Sequence, residues 1–373
     1  MVRIGIIGSG STIGIAQNHI KAYQCCEDAV ITAVYDIAEG RAQGYIEKLE
    51  MKDAKACSSL EELFSLCDAV SICTPNSTHV ELSVTALKAG KHVLCEKPFA
   101  PVPEDCDEAL KYAKETGKVA MIGLCYRDIP GFVYMKQLLD EGVMGRIFFV
   151  REEQGGDRIA DPEVKLEWRM QKELSGPGAL ADFGSHMMDI CDYLLRDICG
   201  PICDITAMQD TCIKEREIIG KPGEMGTVNN DDVACWICRT TGGTLYNFTA
   251  SRVGATFMLE IVGEGGKMTF HGNRPFELTL QLKDKNGGYS KQPEVVPVPE
   301  SCYGGDKNAP RVPFAINFYY EIRQFLDAIQ KGSDTLLTFE RGKYIQTLIQ
   351  YAQDSADRQE IVHINENQGG NQL

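Results

Sequence analysis

The chain opens on a short apolar run, Val2 to Ile7, that passes directly into Gly8-Ser9-Gly10-Ser11-Thr12-Ile13-Gly14. A strand, then a glycine-rich turn, then helical spacing over 15–24 is the start of a βα unit, and few folds accept it. Glycines let the backbone approach a phosphate-bearing group, and the N-terminus of the next helix offers N–H donors and the positive end of its dipole. The spacing is not the usual one: the third glycine falls one residue late, and Ala16 takes the place of the final small residue. By itself such a turn is weak evidence, since an ordinary strand–helix connection reads the same way.

The rhythm that follows supplies the context. Residues 29–35 form a second strand and 38–50 a helix; 69–73 and 91–95 are strands separated by a helix over 78–89; a helix over 104–116 precedes a strand over 118–124. Strands alternating with helices predict an α/β fold whose N-terminal domain, residues 1–125, is a parallel, doubly wound Rossmann sheet. From residue 126 the rhythm changes. A helix over 131–141 and a strand over 146–152 lead into a polar, glycine-containing stretch, 155–178, expected to be an active-site loop. A helix over 180–195 precedes successive strands from 202 to 283, with turns at Gly242-Gly243 and Gly265-Gly266, the pattern of an antiparallel sheet. Residues 284–312 read as loop, and helices return over 314–330 and 340–352. The second domain is thus set at 126–364, and the Asn/Gln/Gly-rich stretch 365–373 is expected to be a frayed tail.

A chain of 373 residues suits two domains. Its net charge of -15 shows no basic face, so nucleic acid is disfavoured as a partner. No signal-peptide pattern and no apolar run long enough to cross a bilayer is present, and the expected location is cytoplasmic. The 15 cysteines read as reduced thiols packed as small apolar groups. Cys235-Trp-Ile-Cys238 has the spacing of a redox motif, but in a strand residues three apart face opposite sides.

Asp36 ends the second strand, where an acidic side chain can hydrogen-bond a ribose 2′-hydroxyl and repel a 2′-phosphate. The expected cofactor is therefore NAD, not NADP. Arg41, which could accommodate a 2′-phosphate, reads more simply as a solvated helix charge.

Four further segments carry a resemblance. They are Cys73-Thr74-Pro75-Asn76-Ser-Thr-His79; Gly90-Lys-His-Val-Leu-Cys-Glu96-Lys97-Pro98; Gly178-Ala-Leu-Ala-Asp182-Phe-Gly-Ser-His186; and the pair Trp168-Arg169. With later echoes in Asn230-Asp-Asp-Val, Glu260-Ile-Val-Gly-Glu-Gly-Gly and Phe325-Leu-Asp-Ala-Ile, the chain resembles the glucose–fructose oxidoreductase / inositol dehydrogenase family (Gfo/Idh/MocA) over nearly its whole length. The resemblance implies a Rossmann domain followed by an α/β domain with a large, open, mostly antiparallel sheet, through which family members assemble as dimers, tetramers or larger homo-oligomers.

It also implies site residues. Lys97, Asp182 and His186 match the family's catalytic positions, and chemistry gives each a role. Oxidising a secondary alcohol needs a base; histidine as a residue type titrates near neutrality, which makes His186 the base candidate. Lys97 can stabilise developing negative charge on the substrate oxygen. Asp182, one turn before His186, can orient the imidazole or bind a neighbouring hydroxyl; a His and a carboxylate at this spacing also suit zinc, but no further ligand cluster is visible and no metal is expected. Cofactor contacts are expected from Gly8, Gly10, Ser11, Thr12, Ile13, Asp36, Arg41, Thr74, Pro75, Asn76, His79, Glu96, Lys97, Trp168 and Arg169, and substrate contacts from Lys97, Tyr126, Arg127, Arg169, Asp182 and His186. The plainer alternatives are that Asn76 caps a helix, Glu96 shapes the turn before Pro98, Trp168 anchors a loop and Arg127 makes a surface ion pair.

The leading expectation is an NAD-dependent dehydrogenase acting on a hydroxyl of a sugar, a glycoside or a cyclic polyol such as inositol. Two rivals remain: a redox-neutral glycoside-cleaving enzyme that uses NAD transiently, and an NAD-binding regulator without chemistry. Intact Lys97, Asp182 and His186 speak against the second.

Overall fold

The structure, a computed structural model, describes residues 1–9, 14–284, 286–290 and 292–364. The expected contacts Gly10, Ser11, Thr12 and Ile13, and the expected tail 365–373, lie outside the described residues. The chain forms two compact units: Met1–Asp128 with Asp306–Lys343, and Ile129–Gly305 with Tyr344–Leu373. The sequence reading set two contiguous domains with a boundary at 125/126; in the structure the first unit also takes back a segment from near the end of the chain.

The first unit is built on six parallel strands in the spatial order Lys55–Ala56, Ala29–Tyr35, Val2–Ile7, Ala69–Ile72, His92–Glu96, Ala120–Gly123. The four strands that the apolar runs mark most clearly are buried along almost every residue, because helices cover both faces. Arg3 breaks the run: it points out and pairs with Asp68 at 2.6 Å. The direction of winding reverses on either side of Val2–Ile7, and it is outside the strand ends at such a reversal that sheets of this kind form a crevice and bind ligands.

The returning segment joins this unit for a simple reason. Ala120–Gly123 is the edge of the sheet, and an edge leaves main-chain groups unpaired. The Ile122 N–H donates to the Leu337 carbonyl at 2.7 Å, and Met121 bridges to Thr338. The helix Ala315–Lys331 buries one face against the helix Ile15–Gln24, with the rings of Phe318 and His19 5.7 Å apart. A helix over Leu60–Leu66 is an addition to the sequence reading. Its start was written in Ser58-Ser59-Leu-Glu-Glu62: the Ser59 hydroxyl accepts the Glu62 N–H while the Glu62 carboxylate accepts the Ser58 N–H.

The second unit carries a nine-stranded sheet in the order Glu294–Pro297, Glu277–Leu282, Gly266–His271, Thr256–Gly263, Ile147–Gly155, Leu245–Ser251, Val233–Thr240, Ile202–Asp210, Val362–His363. Its pairs are antiparallel except that between Ile147–Gly155 and Leu245–Ser251. The edge strand Glu294–Pro297 falls where the sequence reading placed loop; four residues of mixed polarity are too few to show a period.

Alternation fixes which side chains face inward. Trp236, Tyr246, Phe248 and Val150 are buried, with the Trp236 and Phe248 rings stacked at 5.0 Å, while Phe149, Leu245, Ile237 and Met208 are exposed on the other face. The same alternation separates Cys235, exposed, from Cys238, buried; all 15 cysteines are free. The inner face packs closely against the helix Gly184–Cys199: a Cβ at Gly184 would lie 3.2 Å from the Trp236 indole. Among the described residues no helix is long and apolar enough to cross a membrane.

Glu152 also points inward. Its carboxyl accepts the Gln154 side-chain N–H at 2.6 Å and the Cys191 thiol at 3.3 Å. Burial pushes its pKa up to about 8, against the two weaker hydrogen bonds. The folded protein therefore binds a proton that the unfolded chain releases, and stability falls as pH rises from the ordinary glutamate value toward 8, by on the order of 3 kcal/mol at pH 7. Glu152→Gln removes that proton from the balance. Its apparent Tm relative to the parent is expected to climb steadily between about pH 5 and pH 8. A Tm difference that does not change with pH in that window refutes the assignment.

Candidate active site

The crevice end of the first unit is assembled around Gly8. Its φ is +86°, and an added Cβ would lie 2.6 Å from the Thr74 methyl and 3.0 Å from the Cys73 carbonyl oxygen. Only glycine fits, because the turn is pressed between the ends of two neighbouring strands. The Gly8 N–H donates to the Tyr35 carbonyl at 2.9 Å, which ties the turn to the strand end that carries Asp36.

The Asp36 carboxylate accepts the Ser9 N–H and hydroxyl at 2.9 and 2.7 Å, the Ala38 N–H at 2.9 Å, and the Arg41 guanidinium at 3.1 Å. Burial pushes its pKa up, but these donors outweigh burial and hold it below the usual carboxylate range. Asp36 is therefore an ion at neutral pH, fixed in place. Arg41 is its partner and not a free solvated charge. The helix Ile15–Gln24 starts after Gly14 with no side-chain cap on its first turn. A tight glycine turn, a fixed carboxylate at the second strand end and an uncapped helix start fit an NAD adenosine and pyrophosphate.

The next loops are clamped to each other. His79 is buried, with Nδ1 2.9 Å from the Pro98 carbonyl oxygen and Nε2 2.9 Å from the Thr74 carbonyl oxygen. Burial lowers its pKa, so the ring is neutral. A neutral ring has one N–H, so it donates to one of these two carbonyls and packs against the other, lying between the Thr74–Pro75 loop and the Lys97–Pro98 turn. Thr78 donates to the Thr74 hydroxyl at 2.7 Å, and Asn76 is buried in the same short 3₁₀ turn, Asn76–Thr78. Glu96 shapes the turn that follows it: its Oε2 accepts the Lys97 N–H at 3.1 Å and its Oε1 faces His19 Nε2 at 2.8 Å. Tyr126 and Arg127 sit in the 3₁₀ turn Cys125–Asp128 of the same unit. Tyr126 faces Phe314 with ring centroids 6.4 Å apart, and Arg127 is buried, unlike a surface ion-pair residue.

The remaining candidates stand in the second unit. Trp168 and Arg169 share a 3₁₀ turn, with the guanidinium 4.2 Å from the indole centre. Burial lowers the Arg169 pKa, partly offset by the nearby Asp182 charge. Asp182 ends the short helix Ala179–Asp182, and His186 stands in the first turn of Gly184–Cys199, buried. The two helices meet at Phe183.

Residues that the sequence reading gave no role hold this segment. Arg252, buried, lies 3.8 Å from the Asp182 carboxylate and donates to the Arg169 carbonyl at 2.7 Å. Asn230 donates to that carbonyl at 2.8 Å and to the Ser175 hydroxyl at 2.9 Å. Asp231 accepts the Gly178 and Leu180 N–H groups, closing the start of the helix that ends in Asp182. Burial raises its pKa although Arg252 and both amides oppose it. Gly178 can only be glycine, since a Cβ would fall 1.8 Å from the Asp231 carbonyl oxygen. The signal was the run Asn230-Asp-Asp, noticed as a family echo without a task. Arg216 and the bidentate Arg158–Glu167 pair anchor the preceding loop, Arg216 through the carbonyls of Ile159, Asp161 and Val164.

Among the described residues the one group of three or more His, Cys, Asp and Glu side chains close enough to share a metal ion is His19, Glu96 and Glu321.

Two family models match the chain. One, described as an oxidoreductase family with an NAD-binding Rossmann fold, covers residues 2–124; the other, the GFO/IDH/MocA C-terminal domain, covers 132–269. The chain is 29% identical to a levoglucosan dehydrogenase of Pseudarthrobacter phenanthrenivorans over 315 residues, 79% of each chain. It is 33% identical to a D-glucoside 3-dehydrogenase of Escherichia coli over 197 residues, 52% of this chain and 54% of that one. A solved structure of levoglucosan dehydrogenase in complex with NADH and levoglucosan is similar with a TM-score of 0.88 at 25% identity, covering 98% of this chain and 99% of that one.

Removing the Asp36 carboxylate tests the cofactor end. Asp36→Ala is expected to weaken NADH binding by about tenfold or more while narrowing the preference against NADPH, as read by titration of cofactor fluorescence. Unchanged affinity and preference would remove Asp36 from the site.

Proposed function

Since the chain belongs to the GFO/IDH/MocA family of NAD-binding oxidoreductases, we propose that it oxidises or reduces a secondary ring hydroxyl of a neutral sugar or glycoside, of the size of an anhydrohexose or glucoside. The observation that carries this is the likeness over 98% of the chain to a structure named for a sugar dehydrogenase bound to its sugar. Bound NAD supplies a hydride acceptor at the nicotinamide ring. The chain's own groups do the rest. His186, at the start of its helix, takes the hydroxyl proton; Lys97, at the turn after Glu96, steadies negative charge on the substrate oxygen. Asp182, held by Arg252, orients the imidazole or a neighbouring hydroxyl. The setting of Asp36 supports NAD as the cofactor.

The test is absorbance at 340 nm with NAD and a panel of levoglucosan, glucose, glucosides, myo-inositol and scyllo-inositol. An increase is expected with an anhydrohexose or glucoside. A signal with inositols alone moves the substrate to cyclic polyols. Silence with aglycone release instead establishes the redox-neutral reading. His186→Asn is expected to leave NADH binding intact and lower kcat by at least about a hundredfold. Retained turnover would sink the proposed base.

We further propose that the outer face of the nine-stranded sheet, with Phe149, Leu245, Ile237 and Met208 exposed, is covered by a second copy of the chain. Sedimentation velocity is expected to show a dimer or larger assembly, and Ile237→Lys to weaken it; a monomer at micromolar concentration refutes this.

A further inference from the structure

Three side chains from distant parts of the first unit meet behind the strand end that carries Lys97. His19 comes from the helix Ile15–Gln24, Glu96 from the end of His92–Glu96, and Glu321 from the returning helix Ala315–Lys331. Their exposures are 0%, 5% and 0%, and their ring nitrogen and carboxyl oxygens lie within 4.8 Å of one another.

The hydrogen bonds around them run in one direction. Tyr23 Oη lies 2.9 Å from Ser71 Oγ, and Ser71 Oγ lies 3.4 Å from His19 Nδ1. With Nδ1 as the acceptor, Nε2 carries the hydrogen and donates to Glu96 Oε1 at 2.8 Å. Glu96 Oε2 accepts the main-chain N–H of Lys97 at 3.1 Å. Glu96 is thus a carboxylate receiving two donors. Glu321 has no such support. Among the described residues neither of its carboxyl oxygens has a hydrogen-bond partner, and one turn earlier Asn317 Oδ1 likewise has none while its Nδ2 donates to Cys125 Sγ at 3.4 Å.

The groups that face Glu321 are Glu96, Asp128 and the His19 ring, and near them stand the thiols of Cys73 and Cys125 and the phenol of Tyr23; only the ring could be a cation, and with Nδ1 accepting from Ser71 it is not. Two carboxylates this close in a dry interior cannot both stay ionised, so a proton or a cation must neutralise the pair. A metal ion would need the His19 Nε2 lone pair, which the tautomer that donates to Glu96 does not have. A proton needs no rearrangement.

We propose that Glu96 and Glu321 share one proton, carried on Glu321, and that this acid–carboxylate pair is the positioning device for Lys97. The two carboxyls are within the span of one bridging water. With Glu321 neutral, Glu96 keeps its negative charge for the two N–H donors that fix the turn. With Glu321 ionised, repulsion would drive Glu96 off His19 and off the Lys97 main chain. Burial and the charges of Glu96 and Asp128 all raise the Glu321 pKa, in agreement. The consequence for turnover rests on the reading of Lys97 as a catalytic residue; the shared proton does not.

The experiment therefore has two arms. Infrared difference spectroscopy of the full-length parent against Glu321→Gln, at neutral pH, cancels the band of Glu152 common to both and is expected to leave one further C=O stretch of a protonated carboxylic acid on the parent side, unchanged when the buffer is moved one pH unit either way. Absence of that band, or one equivalent of tightly bound metal in the purified parent by elemental analysis, overturns the proposal. In the kinetic arm, Glu321→Ala is expected to lower kcat by about tenfold with NADH affinity changed by less than about twofold, and Glu321→Gln, neutral and nearly isosteric, to recover most of the loss. Parent-like kcat in Glu321→Ala overturns the positioning role. Should Lys97→Met retain full turnover, the assignment of Lys97 fails while the infrared band still decides the shared proton.

Discussion

The first unit is organised by a requirement to satisfy one buried carboxylate. Glu96 ends a central strand, and everything that could face it is apolar or already engaged unless other elements bring donors to it. The helix Ile15–Gln24 brings His19, and the turn after the strand brings the Lys97 N–H. Gly123 on the neighbouring strand leaves room for the carboxylate, since a Cβ there would stand 3.2 Å from Glu96 Oε1 and press on it. The returning helix then closes the pocket with Glu321 and Asn317. A cofactor-binding sheet, its first helix and a segment some two hundred residues later are thereby bound into one polar node, and the Lys97 turn leaves from that node.

The second unit solves a related problem differently. Its candidate residues stand on a long loop and a broken helix, which left to themselves would have many main-chain groups unsatisfied. Buried side chains from the sheet do that work. Asp231 takes the free amides at Gly178 and Leu180, Asn230 and Arg252 take the Arg169 carbonyl, and Arg216 takes three carbonyls further back. Because these partners are buried and polar, and all but Asn230 ionisable, the loop is held at definite positions, as a segment must be if it presents Arg169, Asp182 and His186 to a substrate. Glu152, in the sheet beneath the His186 helix, is the cost on the other side: a neutral acid in the core whose proton ties stability to pH.

Much of this was legible beforehand. The strands at 2–7 and 29–35 are read from their apolar runs to the residue, and the strict alternation of Val233–Thr240 separates Cys235 from Cys238 as expected. Asp36 stands at the strand end where its position pointed, although its donors are Ser9, Ala38 and Arg41 of its own chain. His79, expected beside the nicotinamide, stands with its ring between the Pro98 and Thr74 carbonyls, a setting that no pattern in the sequence shows. Short pieces were missed: Glu294–Pro297 is too brief for a period, and the Leu60–Leu66 helix was announced only by its cap.

What the sequence determined by itself is everything set by local stereochemistry. Periods of two and of 3.6 residues decide which segments pair and which coil, and a glycine or a carboxylate at a strand end marks where a dinucleotide can be held. What the tertiary structure alone decided is which distant polar groups share a dry interior. Glu321 lies 225 positions beyond Glu96, and Arg252 lies 70 beyond Asp182. No pattern in the chain couples them, because the cost of leaving a buried charge or amide unsatisfied arises only when packing has removed the water that would otherwise serve it.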